Sequence, residues 1–325
     1  MCPLAGSRTG GRYCTTAGHL RNASRGTEGP PASVDSAEPT MSDPDDPTAS
    51  AISEAAAALR SADALVFAAG AGMGVDSGLP DFRGPEGFWN AYPAYRHLGL
   101  GFMDLANPVW FENDPALAWG FYGHRLELYR RTRPHSGFDV LRRWAGRMRG
   151  DRAFVFTSNV DGHFGQAGFA AEQVVECHGS LEWLQCLRGC GAPLFSAAGR
   201  SVVVDPATFR ATGTLPACPR CGGLARPNVL MFGDWGWDGR RTTAQESRLQ
   251  AWLRGLPSGS RLLVVECGAG TAVPTVRVFS ERLTRALGAT LVRINVRESH
   301  GPRGTIPIPL GAREALERIE DLVTR

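Results

Sequence analysis

Lysine is missing from this 325-residue chain, and all 35 of its basic side chains are arginine. Schiff-base catalysis and acylation on an internal amine are both excluded by that absence. Nor is there an excess of one charge, since a formal net charge of +3 is too small to argue for direct nucleic-acid binding. No apolar segment approaches the roughly 18–20 residues that a membrane span needs, so no membrane association is expected. The eight cysteines are too sparse over this length for a secreted disulfide framework, and a reducing, cytoplasmic setting is expected. What remains is an ordinary globular composition, 43% hydrophobic and 21% charged, enough for one large α/β domain with a smaller insertion.

Residues 1–50 are rich in Gly, Pro, Ser, Thr and Asp without an apolar period, and read as a disordered extension. Met41 could equally be the natural start. Beyond it, residues 51–325 alternate between helical and strand patterns. Helices are expected from Ile52, over 115–131 behind the Asp114–Pro115 cap, and over 136–149, 242–254, 275–287 and 312–323. Buried strands are expected at 64–70, 153–159, 173–179, 261–268 and 290–295. Short apolar strands separated by helices imply a doubly wound parallel sheet. The stretch 180–230 lacks that rhythm and reads as an inserted module.

Within that insertion, Cys186-x3-Cys190 and Cys218-x2-Cys221 form two close pairs. Zinc closes a tetrahedral site with such pairs, and four thiolates leave no open position, so a structural Zn2+ is expected; redox dithiols are the alternative. His178 is then free of the metal. It ends a buried strand, where open α/β sheets place their ligand crevice.

A glycine-rich turn, "GAGMGVDSGLPDFRG" (70–84), follows the first strand. Its glycines let a ligand approach the backbone, although Val75 breaks the GxGxxG dehydrogenase fingerprint. The continuation into Pro80, Asp81, Phe82 and Arg83 is more than a turn needs, and here the chain resembles the sirtuin family. "TSNVDGHFGQAGF" (157–169), "ECHGS" (176–180), "RPNVLMFGD" (226–234), "GAGTAVPTV" (268–276) and "RIN" (293–295) continue the resemblance in order. The arginine-only, GC-rich composition suggests a bacterial member.

The resemblance implies a Rossmann-like domain and an NAD-dependent protein-lysine deacylase. Gly70, Ala71, Gly72, Asp81, Phe82, Arg83, Ser158, Asn159, Asp161, His178, Gly268, Ala269, Gly270 and Asn295 would hold NAD+ as co-substrate. His178, Asn159 and Asp161 would be catalytic. In the implied reaction the acyl oxygen attacks the ribose carbon bearing nicotinamide. His178 then helps a ribose hydroxyl attack the imidate, giving nicotinamide, free lysine and O-acyl-ADP-ribose. Acyl-lysine proteins or peptides would be the partners, bound by Val229, Phe232 and Gly233. Gly74, Ser158, Ala269 and Gly270 depart from the usual residues: Gly74, Ala269 and Gly270 lose a side-chain contact to the cofactor, and the shorter Ser158 hydroxyl would reach the ribose through a water bridge. Tyr122 and Arg125 stand three apart on one helix face, where some members bind acidic acyl chains; a solvated helix face is the alternative. An NAD glycohydrolase or ADP-ribosyltransferase using the same pocket is a rival reading, as is a non-catalytic NAD sensor.

Overall fold

The structure, a computed structural model, describes residues 46–80 and 84–325. The expectations for residues 1–45 and for Asp81, Phe82 and Arg83 lie outside the described residues. In chain order come α1 (Pro47–Ser61), β1 (Ala64–Ala69) and α2 (Gly72–Val75). Four short helices follow: α3 (Gly84–Ala91), α4 (Pro93–Arg96), α5 (Phe102–Leu105) and α6 (Val109–Asn113). Next are α7 (Pro115–Arg131), α8 (Ser136–Arg147), β2 (Ala153–Thr157), α9 (His163–Gln166) and β3 (Val174–Glu176). The insertion holds β4 (Gly179–Cys186), β5 (Phe195–Ser196), β6 (Val203–Val204), β7 (Ala211–Thr212) and β8 (Ala225–Val229). The chain closes with α10 (Arg240–Gly255), β9 (Leu262–Cys267), α11 (Thr275–Leu287), β10 (Thr290–Ile294), β11 (Thr305–Ile308) and α12 (Ala312–Thr324).

Six strands form one parallel sheet in the order β11-β10-β9-β1-β2-β3. Every residue of β1, β2 and β9 is buried, as sheets covered on both faces require. Alternation along β1 divides the two cores. Leu65, Phe67 and Ala69 join Leu59, Leu141, Trp144 and Leu316 beneath α1, α8 and α12. Ala64, Val66 and Ala68 face Leu249, Val276 and Leu283 of α10 and α11, where the Phe156 and Phe279 rings stack at 3.8 Å. Each large apolar side chain so buried contributes about 1.5–3 kcal/mol. Glu266 lies inside this otherwise apolar region because Arg293, its register partner on β10, is fully buried beside it and grips both carboxylate oxygens.

Helix starts follow their caps. Asp46 accepts the Thr48 N–H at 2.9 Å ahead of Pro47, so α1 begins before the expected Ile52. Asp114 accepts the Leu117 N–H at 3.1 Å ahead of Pro115, and α7 has its expected limits.

Two differences from expectation concern strands. β11 carries Pro307, a residue that argues against a central strand; it is accommodated because β11 is the sheet edge, where a missing N–H costs no ladder bond. The 180–230 stretch is also more ordered than its composition suggests. β4 pairs with β5 and β8 in an antiparallel sheet, and β6 pairs with β7. Leu181, Leu184 and Ala225 from this insertion share a core with Phe88, Tyr92, Tyr95, Phe111 and Tyr122, so the insertion packs with the helices before β2 as one unit.

Candidate active site

Strand order reverses between β1 and β9, the place where open α/β sheets leave a crevice at their carboxyl ends. Nearly every described residue expected to hold the cofactor falls at that edge. Gly70, Ala71 and Gly72 leave β1; Ser158 and Asn159 leave β2; His178 follows β3 by two residues; Gly268, Ala269 and Gly270 leave β9; Asn295 leaves β10. The loops are locked together by backbone bonds: Gly70 N–H to Cys267 O, Gly72 N–H to Gly268 O, Ser158 N–H to Ala69 O. Asn295 donates Nδ2–H to Ala269 O at 2.9 Å and accepts the Arg297 and Glu298 N–H groups on Oδ1. Its side chain therefore shapes the β9 loop from within.

Glycine is required at the switch point itself. Gly268 has φ of +64°, and a Cβ there would meet the Gly72 carbonyl carbon at 2.3 Å. Gly288, at the end of α11, has the same φ with nothing within 4 Å. Gly268→Ala is expected to cost about 3 kcal/mol or more, from overpacking added to conformational strain, whereas Gly288→Ala should cost about 1 kcal/mol. Chemical denaturation of both variants checks this; equal losses would show that crowding plays no part.

His178 is largely shielded from water, and that burial lowers its pKa from the ordinary imidazole value, so the ring is neutral at pH 7. Its Nε2 lies 3.2 Å from Thr275 Oγ1, at the first turn of α11. Thr275 was not anticipated from sequence; only the fold brings it 97 positions back to the imidazole. Asn159 gives its N–H to Thr157 Oγ1 and leaves its buried side-chain amide without a partner among the described residues. Asp161 is buried and accepts the His163 N–H at 2.9 Å. His163 itself is buried with neither ring nitrogen hydrogen-bonded among the described residues.

On the insertion side, Val229 ends β8, and Leu230 N–H bonds to His178 O at 3.0 Å. The expected acyl-lysine segment thus runs beside the His178 main chain. Phe232 and Gly233 follow on a loop fixed by a fully buried ion pair: Arg226 donates to both Asp234 oxygens at 2.7 and 2.9 Å. Tyr122, Val229 and Met231 are buried in one cluster, with Phe232 packed against it. Arg125 is only 5% exposed, which rules out the solvated-face reading. Its guanidinium donates to Tyr129 Oη, lies against the Phe102, Phe121 and Tyr122 rings, and Phe102 in turn contacts Phe232. The Tyr122 hydroxyl is buried without a hydrogen bond among the described residues, and burial raises its pKa.

The four cysteines converge as their spacing requires. All four sulfurs lie within 4.8 Å of one another, with Cys186 Sγ–Cys221 Sγ at 3.6 Å and Cys190 Sγ–Cys218 Sγ at 3.7 Å. Four Zn–S bonds of about 2.3 Å in a tetrahedron demand sulfur separations of about 3.8 Å. These distances fit that ion and are far beyond the ~2.05 Å of a disulfide. Glycines at positive φ, Gly189, Gly191 and Gly222, turn the backbone around the thiols. No histidine among the described residues enters the cluster.

Residues 70–249 match the model of the Sir2 family. The chain belongs to the Sir2 family. NAD-dependent protein deacylase 2 of Pyrobaculum aerophilum is 33% identical over 272 residues, covering 82% of this Sir2 chain and 94% of its relative. Mitochondrial NAD-dependent protein deacylase sirtuin-5 of Danio rerio is 34% identical over 184 residues, 52% of this chain and 57% of the relative. Among solved structures, a Sir2 homolog–NAD complex is 25% identical with a TM-score of 0.61, covering 83% of this chain and 93% of the other. The Rossmann-like sheet of this Sir2 chain, with its four-cysteine module, accords with that fold.

Proposed function

We propose that this chain is an NAD-dependent protein-lysine deacylase that releases nicotinamide and O-acyl-ADP-ribose. The observation that carries the reading is the placement of a neutral imidazole, His178, between the glycine-lined carboxyl edge of the sheet and the Val229–Gly233 segment. Relatives named as NAD-dependent protein deacylases support it. NAD, when bound, supplies an electrophilic ribose carbon. The glycine turns at 70–72 and 268–270 offer backbone to its phosphates where side chains are small. The Asn159 amide, without a partner among the described residues, is available to a ligand group. His178 accepts a proton on one ring nitrogen and returns it, as a neutral imidazole of lowered basicity can near pH 7. Cys186, Cys190, Cys218 and Cys221 hold a structural zinc that supplies no open coordination site.

The acyl group is proposed to be acidic, of succinyl or malonyl type. The unpartnered Tyr122 hydroxyl and the shielded Arg125 fork lie in the cluster that Val229 enters and Phe232 packs against. Arg125→Met is expected to lower desuccinylation about tenfold more than deacetylation, the loss of one charge-assisted pair of about 1.5–3 kcal/mol. Parallel assays on acetyl- and succinyl-lysine peptides check it, and equal losses would reject the role. The overall reaction is tested by mass spectrometry of purified protein with NAD and acetyl-, succinyl- and crotonyl-lysine peptides. O-acyl-ADP-ribose is the expected product; ADP-ribose alone would indicate a glycohydrolase. No helix among the described residues is long and apolar enough to cross a membrane, which is compatible with a cytoplasmic enzyme. Its composition fits a bacterial source.

A further inference from the structure

The opposite edge of the sheet carries a second cavity that the deacylase chemistry does not use. Asp63, Arg152 and Arg261 immediately precede β1, β2 and β9, so they mark the amino ends of three adjacent strands. The crevice described above lies at the carboxyl ends, roughly 17–20 Å away along six-residue strands. Here a cavity of about 540 Å³ is lined by five arginines, Arg60, Arg147, Arg149, Arg152 and Arg261, against one carboxylate, Asp63. That volume lies within the range of small-molecule sites.

Three of the five guanidiniums are engaged by the protein. Arg261 holds both oxygens of Asp63 at 2.9 and 3.0 Å, and Arg261 beside it holds the Asp63 carboxyl well below the usual range. Arg147 spans both oxygens of Glu320 at 3.0 Å, and Arg60 donates to Leu322 O. Arg149 and Arg152 have no hydrogen-bond partner among the described residues. Arg152 shares the Asp63 carboxylate electrostatically with Arg261, and Arg149 has no partner among the described residues. Five guanidiniums against one lining carboxylate leave the cavity positive, and a concave site concentrates that field. Planar forks of this kind suit phosphate oxygens, which accept paired N–H groups. The remaining wall is apolar, formed by Leu59, Met148 and Val323, and suits the uncharged part of a ligand.

We propose that this cavity is a binding site for a small molecule carrying two or more linked phosphates, held by Arg149 and Arg152 and flanked by Arg147 and Arg261. Either a nucleotide or an inorganic polyphosphate could supply that group. The test is isothermal titration of the full chain with inorganic tripolyphosphate in the absence of NAD, which itself carries two linked phosphates. Binding at the carboxyl-edge crevice instead would be insensitive to substitutions at this cavity. One saturable site is expected, weakened at least tenfold by Arg149→Gln/Arg152→Gln. Arg282→Gln/Arg285→Gln, which removes the same charge from the exposed face of α11, should leave affinity within twofold. Repeating the titration with ADP separates the sources: tighter binding than tripolyphosphate identifies a nucleotide, and weaker binding identifies the polyphosphate. Absence of saturable binding, or equal weakening in both double variants, would overturn the site. Thermal unfolding of both variants without ligand verifies that the fold is retained.

Discussion

His178→Ala is expected to lower deacylation by about 10²–10⁴-fold while leaving the melting curve nearly unchanged. The magnitude is that of a lost general base. The fold should tolerate the change because the ring is near the crevice, not in the core, and makes one side-chain hydrogen bond among the described residues, to Thr275. In the unaltered protein the pH profile should have an acid limb with its midpoint below the ordinary imidazole value of 6.5, because burial lowers this pKa. The base is neutral and competent at pH 7, and is lost as pH falls through that lowered value. Steady-state rates of both proteins from pH 5 to 8 check the pair of claims. Activity within threefold of the unaltered protein in His178→Ala would remove the imidazole from the mechanism.

Removal of the metal is expected to have an effect of comparable size by a different route. β4 begins one residue after His178 and ends at Cys186, so a single strand joins the proposed base to the first thiol. Cys218→Ser should bring bound zinc from one equivalent to near zero, measured by elemental analysis. The ligands converge on the insertion from segments 28 to 35 residues apart in sequence, and a structural zinc contributes folding energy of many kcal/mol. A fall in melting temperature of about 10 °C or more is therefore expected, at roughly 2–4 °C per kcal/mol for a domain of this size. Activity should fall with it. A zinc-free variant with unchanged stability would mean that the thiols serve another purpose.

Much of this arrangement could be read before any coordinates. Apolar runs such as "ALVFAA" and "LLVVEC" are buried on both faces, so their composition alone betrays parallel strands. Asp114–Pro115 and the paired cysteines carry their geometry in short spacings. Sequence does not disclose that Gly70 is needed because the Gly268–Ala269 backbone lies against it, and Gly268 because Gly72 and Met73 do. What escaped detection depends on distant partners. Pro307 masks β11 because its tolerance comes from an edge position. The short β5, β6 and β7 owe their stability to the aromatic core of α3, α4 and α7, not to local pattern. Thr275 and Arg226–Asp234 become meaningful only once loops from separate strands meet.

The pairing of β1 with β9 has a consequence for how the chain assembles. Asp63 and Arg261, at the amino ends of these central strands, are 198 positions apart. Their union must close a very long loop before it gains any compensating contact, whereas β4 finds β5 within a dozen residues. Refolding should accordingly be slow, with the insertion acquiring protection from hydrogen exchange before the crevice exists. The nucleotide pocket would then be among the last parts of the molecule to take shape.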